Sequence, residues 1–416
     1  MLTAGDTTRK IKVLIVDDSA IVRKILSETI SSEPDMEVVG TAPDPYVARD
    51  KILSLHPDVL TLDIEMPRMD GITFLKRLMH HHPIPTIIVS SLGQASCAAT
   101  LEALRCGAVD VMAKPSGPYS VGDLRHSLAA KIRGAAGARP RPASDIVPVV
   151  VPEQKPAPVQ RPVASAVPAQ KPAAQSQIAH PQKVTSIAQP QNAQPQSVSS
   201  IAPETKAAPS CLSGVTLDPR TIVAIGASTG GTVAIQEIML QLPADMPPMV
   251  VTQHIPAGFS LAFANRLNKL CRMEVREAVD GDMLRRGLAL IAPGDYHMLL
   301  RRAGAGYMVE LQQGPQVCYQ RPSVDVMFAS VAQTAGTNAI GVILTGMGND
   351  GARGMLAMRR SGAFTIGQDE SSCVVYGMPR EAKRIDAVCT VASLNDIPRV
   401  LTDTVKQYSK AAAKTG

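Results

Sequence analysis

The sequence predicts two α/β domains, each built on a doubly wound parallel sheet, joined by a long disordered linker. Short, continuous apolar runs alternate with helix-like stretches in both halves of the chain, a pattern typical of parallel strands covered by helices on both faces. Between the halves, residues 140–209 carry 14 of the 33 prolines and show neither helical nor strand periodicity. A chain of 416 residues is also too long for one ordinary core.

The domain boundaries are predicted from the changes in composition. We place a tail at residues 1–10, a first domain at 11–134, a linker at 135–212, a second domain at 213–408 and a tail at 409–416. The linker is rich in Pro, Ala and Gln, a composition that buries too little apolar surface to offset the entropy of ordering the chain. It is therefore predicted to be a tether with polyproline character, spanning roughly 50 Å.

Charge, cysteine content and hydropathy exclude several classes of protein. Much of the formal net charge of +6 comes from the linker, where seven basic and three acidic residues are thinly spread without aromatic residues; we therefore expect no nucleic-acid partner. The seven cysteines are scattered and form no C-x-x-C pair, which argues against a zinc or redox site. No apolar run reaches the length of about 18 residues that spans a membrane. We expect a cytoplasmic monomer without direct membrane insertion.

Polar side chains end most of the predicted strands in the first domain. Because the carboxyl ends of parallel strands meet at one edge of the sheet, these side chains should converge. Three converging carboxylates repel one another and require a cation; oxygen ligands favour Mg²⁺, with one carboxylate left as a nucleophile. The residues concerned are Asp17, Asp18, Asp63, the hydroxyl of Ser90 or Ser91, and Lys114.

Residues 11 to about 130 resemble a response-regulator receiver domain, which has a flavodoxin-like fold. The segments "VDDS", "LDIEMPRMDG" and "KP" carry this resemblance. It implies phosphorylation of Asp63 by a histidine kinase phosphodonor. The roles implied for the other residues are Mg²⁺ binding by Asp17, Asp18 and Asp63, phosphate contact by Ser90 (with Ser91 left open as the alternative), and a salt link from Lys114.

The stretch "TIVAIGASTGG" at 221–231 fits two templates. As a G-x-G-x-x-G turn whose middle glycine is replaced by Ser228, it would bind a dinucleotide; as G-x-S-x-G, it would present Ser228 as a nucleophile. The dinucleotide template requires an acidic residue at the end of the second strand, but His254 stands there. A histidine can act as the base that a serine nucleophile needs.

A third group should orient the imidazole, and Asp350 in "ILTGMGNDG" follows another predicted strand. If the three strands lie side by side, Ser228, His254 and Asp350 meet at one edge. Their order along the chain differs from that of α/β-hydrolases and of the two best-known serine protease folds. A helix beginning near Thr229 would direct free N–H groups towards an oxyanion. Spacing alone leaves four other acids open: Asp280, Asp282, Asp295 and Asp325.

Residues 219 to about 405 are similar to the catalytic domain of the chemotaxis methylesterases, the CheB family, a Rossmann-like domain. The matching blocks are "IGASTGG", "QHIPAGFS", "APGDYHM", "RPSVDVMF", "LTGMGNDG" and "GMPREA". This resemblance implies that Ser228 is the nucleophile, His254 the base and Asp350 the orienting acid. It places Thr229 beside the nucleophile and Met347 in a block implicated in the oxyanion site, with no cofactor at the esterase site.

The family resemblance also implies the reaction and its control. The substrates would be glutamate γ-methyl esters on the cytoplasmic helices of chemoreceptors, with selected receptor glutamines deamidated to glutamate. The unphosphorylated receiver would cover the catalytic edge. Because the linker is unusually long, inhibition should depend on a genuine interface or be weaker than in relatives with short linkers. Two alternatives stay open: a non-enzymatic response regulator with a partner-binding output domain, and a nucleotide-dependent reductase with a regulatory receiver.

Overall fold

The computed structural model describes residues 9–91, 93–114, 121–138, 212 and 218–415. Nearly all of the predicted linker therefore lies outside the described residues. Among the helices that the model describes, none combines the length and the apolar character needed to cross a bilayer.

The first domain has alternating strands and helices around a parallel sheet in the order β2-β1-β3-β4-β5. This arrangement confirms the predicted doubly wound fold. Its first three helices each begin at a side-chain cap; Asp44, for example, accepts hydrogen bonds from the first backbone N–H groups of the second helix,. The elements are β1 (Ile11–Val16), α1 (Ala20–Ser31), β2 (Met36–Ala42), α2 (Pro45–Leu55), β3 (Val59–Leu62), α3 (Gly71–His81), β4 (Thr86–Ser90), α4 (Gln94–Arg105), β5 (Asp110–Ala113) and α5 (Val121–Ala136).

The second domain contains a larger parallel sheet and one antiparallel hairpin, β10–β11. The elements are β6 (Ile222–Ala227), α6 (Gly231–Gln241), β7 (Met249–Gln253), α7 (Phe259–Leu270), β8 (Glu274–Glu277), β9 (Leu288–Ile291), β10 (His297–Ala303), β11 (Gly306–Gln312), α8 (Val324–Ala335), β12 (Ala339–Ile343), α9 (Ala352–Arg360), β13 (Phe364–Gln368), α10 (Met378–Arg384), β14 (Thr390–Ala392) and α11 (Ile397–Thr415). The strand order is β14-β13-β12-β6-β7-β9-β8, so the prediction of a second parallel sheet is also confirmed.

Three strands that the sequence pattern did not predict complete this sheet. β8 carries three charged residues in the four-residue segment EVRE, and β14 is only three residues long. β13 contains a glycine and a glutamine and is similarly hard to recognise. At the end of the chain, α11 continues to Thr415, past residue 408, where the sequence predicts that the domain ends.

The centre of the larger sheet brings three strand ends into line. β6 pairs in parallel with β12 on one side and with β7 on the other, so that Gly226 lies opposite Ile343 and Thr252. Every residue of these three strands is buried. The side chains that follow the strands therefore emerge together at the carboxyl edge, where parallel α/β sheets place their chemistry.

Candidate active site

Ser228 follows β6 directly and lies at the turn into α6. Its N–H donates to the Thr345 carbonyl (3.0 Å), and its own carbonyl accepts from Gly231 N (2.7 Å). The turn is completed by Gly230, whose φ of +77° suits glycine,. A Cβ on Gly346 would lie 2.7 Å from Ser228 Cβ. The neighbouring strand end thus approaches the serine too closely for any other residue type.

His254 follows β7 on the adjacent strand, and its N–H donates to the Ala227 carbonyl (3.1 Å). Its Nε2 lies 2.7 Å from Asp350 Oδ2. Within the described chain, its Nδ1 is buried without a hydrogen-bond partner, and no hydrogen bond joins it to Ser228 Oγ. The ring therefore has one nitrogen engaged by an acid and the other available for a hydroxyl; such contacts often tighten only when substrate is bound.

Asp350 receives hydrogen bonds on both carboxylate oxygens. Ser323 Oγ (2.8 Å) and Asp325 N (3.0 Å) donate to Oδ1, and Val324 N (2.7 Å) donates to Oδ2 beside the His254 ring. Burial alone would raise the pKa of Asp350, but the hydrogen bonds and the His254 ring outweigh it and hold the pKa below its ordinary value,. The residue is therefore a carboxylate fixed in one orientation.

The four alternative acids have other partners. Asp280 accepts from Leu311 N (2.8 Å), and Asp325 accepts from Gly354 N (2.7 Å). Asp282 and Asp295 form ion pairs with Arg276 and Arg321. Of the five acids considered from the sequence, Asp350 is the one that contacts His254.

Gln253 was missed by sequence reasoning. Its side chain is buried, and Nε2 donates to the carbonyls of Ser228 (2.8 Å) and His254 (3.2 Å). It therefore ties together the two strand ends that carry the predicted nucleophile and base. An amide has no acid–base role, so the signals available were its position at the end of β7 and its place at the start of the matching block QHIPAGFS.

The predicted phosphorylation site lies at the carboxyl edge of the first sheet. Oxygen atoms of Asp17, Asp18 and Asp63 lie within 4.8 Å of one another. Lys114 Nζ is 2.7 Å from Asp63 and 3.2 Å from Asp17. Burial raises the pKa of both Asp17 and Asp63, against the opposing effect of Lys114. Three carboxylates with oxygen donors this close fit a Mg²⁺ ion.

The two candidate hydroxyls of the first domain differ in their surroundings. Ser90 ends β4 fully buried, and its Oγ has no hydrogen-bond partner in the described part of the chain. Its carbonyl accepts from Lys114 N (2.8 Å), which places it beside the lysine. Ser91 Oγ is instead engaged with Ser96 Oγ (2.9 Å). Of the two candidate hydroxyls, that of Ser90 is therefore the one without a partner among the described residues.

Comparison with known proteins agrees with both halves of this description. The model of the CheB methylesterase family matches residues 223–401, and that of the response regulator receiver domain matches residues 13–124. A protein-glutamate methylesterase/protein-glutamine glutaminase 2 of Syntrophus aciditrophicus is 50% identical over 388 residues, which cover 93% of this chain and 97% of the relative. The chain belongs to the CheB methylesterase family.

A protein-glutamate methylesterase/protein-glutamine glutaminase of Chromohalobacter salexigens is 46% identical over 413 residues; these cover 97% of this chain and 99% of the relative. Among solved structures, the chain is similar to the CheB methylesterase catalytic domain of Thermotoga maritima, with a TM-score of 0.44 and 36% identity. That match covers 44% of this chain and 98% of the Thermotoga chain.

In this CheB chain, the receiver contacts the residues that follow the predicted nucleophile. Thr229 Oγ1 donates to Asp110 Oδ2 (2.5 Å), and Gly230 N donates to the Val109 carbonyl (3.2 Å). Asp110 is buried and also pairs with Lys131 of α5 (2.7 Å). The start of β5 thus engages a hydroxyl and an N–H group at the beginning of α6.

A second contact lies between α5 and the loop after β12. A Cβ placed on the buried Gly134 would lie 3.0 Å from Met347 Sδ, so the helix backbone rests directly on the methionine. Val374 and Val375 of the catalytic domain pack against the apolar cluster of the receiver. The receiver therefore contacts the catalytic edge through hydrogen bonds and packed side chains. Inhibition through a long linker would require an interface of this kind.

Proposed function

We propose that this chain is a phosphorylation-activated serine hydrolase of chemotactic adaptation. It demethylates glutamate γ-methyl esters on the cytoplasmic helices of chemoreceptors and deamidates selected receptor glutamines to glutamate, and it acts in the cytoplasm. The contact between His254 and Asp350 beside Ser228, on three adjacent strand ends, carries this proposal. The names of the relatives support both activities, and neither the non-enzymatic regulator nor the reductase has such support.

The mechanism follows from which ring nitrogen is available. Ser228 Oγ attacks the γ-carbonyl carbon while Nδ1 of His254 accepts its proton, because Nε2 is held by Asp350. The imidazolium then gives that proton to the departing methanol or ammonia, and water hydrolyses the acyl-enzyme by the same route. Once the receiver is displaced, the N–H of Gly230 at the turn into α6 would be free to donate to the developing oxyanion, and one such donor lowers the barrier by roughly 3–4 kcal/mol.

Control by the receiver begins at Asp63, the proposed site of phosphorylation by a histidine kinase. Asp17, Asp18 and Asp63 would hold Mg²⁺, whose charge would offset that of the phosphoryl group during transfer. The free hydroxyl of Ser90 would contact the phosphate, and Lys114 would pair with it.

The docked receiver inhibits by occupying groups that catalysis needs. The Val109 carbonyl accepts a hydrogen bond from the N–H of Gly230, and Asp110 accepts one from the hydroxyl of Thr229. β5 is only four residues long and has Asp110 at one end, with Lys114 directly following the other. A phosphoryl group that repositions Lys114 therefore acts on the strand that holds the interface.

Replacing Asp63 by asparagine should abolish phosphoryl uptake from a small phosphodonor and remove the stimulation of methanol release from methylated receptors. The amide of asparagine is not a nucleophile, so it takes up no phosphoryl group. The unstimulated esterase rate should persist. Radiolabelled phosphate incorporation and methanol release in the same preparation would measure both effects. Asp70→Asn, at the exposed cap of α3, is the matched control and should behave as wild type. Undiminished labelling of Asp63→Asn would refute the proposed site.

Replacing Gly134 by leucine should raise the unphosphorylated esterase rate by roughly tenfold, since overpacking at one contact costs about 1–3 kcal/mol. The new side chain would collide with Met347 and weaken docking, whereas Ser228, His254 and Asp350 would keep their own contacts. The measurement is methanol release without a phosphodonor. The control is Ala136→Leu, at an exposed position of the same helix. An unchanged rate in Gly134→Leu would exclude inhibition through this contact.

A further inference from the structure

His297 is a buried histidine at the start of β10 that the proposed mechanism does not use. It is 4% exposed. Its Nδ1 lies 3.2 Å from Ser323 N, and its Nε2 lies 2.9 Å from the Pro315 carbonyl. A backbone N–H can only donate and a carbonyl can only accept, so Nδ1 is unprotonated and Nε2 carries the hydrogen. Both ring nitrogens are thus committed in one neutral tautomer.

Ser323, the residue held by His297, holds the proposed catalytic acid in turn. Its hydroxyl donates to Asp350 Oδ1 (2.8 Å), and it is also the N-cap of α8, accepting from Val326 N (3.4 Å). The next two N–H groups, of Val324 and Asp325, donate to the same carboxylate. The N-terminus of α8 therefore holds the Asp350 carboxylate in place, and the helix dipole favours the negative charge there.

His297 also holds the N-terminus of α8 in position through its contact with Ser323. It bridges the two ends of the segment 315–323 by accepting from Ser323 and donating to Pro315. A continuous series of hydrogen bonds then runs from the Pro315 carbonyl through His297, Ser323 and Asp350 to the His254 ring. A shift of Ser323 would move three of the donors that orient Asp350.

We propose that His297 and Ser323 are positioning residues that act on catalysis through Asp350 and His254. This inference rests on the proposed function, because Asp350 matters only if His254 is the base. Neither residue touches the reacting atoms, so their loss should lower kcat and leave KM nearly unchanged. A misplacement of about 1 Å costs roughly 100-fold in rate, and we expect losses of that order or somewhat smaller.

The test compares full-length variants that keep or remove the acceptor at Nδ1. In His297→Asn, the amide oxygen can take the place of Nδ1 and accept from Ser323 N, whereas His297→Leu offers no acceptor. We expect His297→Leu to lower kcat about 10- to 100-fold and His297→Asn to recover most of that loss. The low-field proton resonance of His254 Nε2–H, shared with Asp350, should broaden or shift in His297→Leu and persist in His297→Asn.

Ser323→Ala provides a second route if His297→Leu does not fold. Its matched control is Ser330→Ala, which removes another buried hydroxyl from α8, one that accepts from Leu300 N (2.9 Å). Ser323→Ala should lower kcat about tenfold, whereas Ser330→Ala should lower only thermal stability. Normal kcat in Ser323→Ala, or equal losses in His297→Asn and His297→Leu, would overturn the positioning role. If Ser228→Ala stayed active as well, the proposed function itself would fail.

Discussion

Replacing Ser228 by alanine is expected to lower methanol release from methylated chemoreceptors by roughly 10⁴-fold or more, because removal of a serine nucleophile leaves only binding and oxyanion stabilisation. The substitution removes one oxygen from a side chain that is 8% exposed, so the fold should be retained. Single-turnover methanol release from the full-length chain, with and without a phosphodonor, measures the effect.

The control for Ser228→Ala is Ser361→Ala, which removes a hydroxyl at the end of α9 that donates to the Met358 carbonyl. That variant should keep the wild-type rate, and both variants should take up phosphoryl groups at Asp63 normally. Hydrolysis that survived in Ser228→Ala would rule out the acyl-enzyme mechanism. Tight dinucleotide binding by the same variant would instead favour the reductase.

Replacing Asp350 by asparagine should lower kcat by roughly 10³- to 10⁴-fold, the scale expected when a triad acid becomes an amide. An asparagine NH₂ group donates to Nε2 of His254 and so drives the ring proton to Nδ1. In that tautomer the ring is unable to accept the proton of Ser228. Steady-state kinetics on a methylated receptor, with kcat and KM separated, would measure the loss.

The matched control for Asp350→Asn comes from the acids that spacing alone left open. Asp282→Asn removes a carboxylate paired with Arg276, away from His254, and should leave kcat within about twofold of wild type, as expected of substitutions that miss the reacting groups. Comparable losses in the two variants would mean that a different acid orients the base.

The depressed pKa of Asp350 adds a dependence on pH. Since its folded-state pKa lies below the ordinary value near 3.9, its contribution to the free energy of unfolding is complete above that value,. The contribution is lost as the pH falls through the lower folded pKa. The free energy of unfolding should therefore fall less steeply in acid for Asp350→Asn than for wild type, so that the two values converge as the pH falls through that pKa; urea unfolding followed by circular dichroism at several pH values would measure this.

Much of the fold could be predicted from local pattern. The continuous apolar runs of β1, β6 and β12 predict buried parallel strands, and the structure has strands at these positions. Strands without that signal, such as the EVRE segment of β8 and the three residues of β14, were not predicted. They are held by pairing at the edge of a sheet that other strands build, so their own sequence carries little information.

The sequence by itself determined the chemistry at the strand ends: a serine in a glycine turn, a histidine where a ribose-binding acid was required, and three carboxylates around a lysine. Only the tertiary structure distinguished residues that the sequence left equivalent. Asp350 differs from Asp325 because the start of α8 holds it against His254, and Ser90 differs from Ser91 because its neighbours leave its hydroxyl free.

The family resemblance implied that the receiver would cover the catalytic edge, but the residues that form this interface were beyond sequence reasoning for the same reason. Asp110 and Thr229 are 119 residues apart along the chain, and no local motif around either residue predicts its contact with the other. The end of a strand depends on the residues of that strand, so the local sequence can predict it. A contact between residues that are distant in sequence depends on tertiary packing, which exists only in the folded chain.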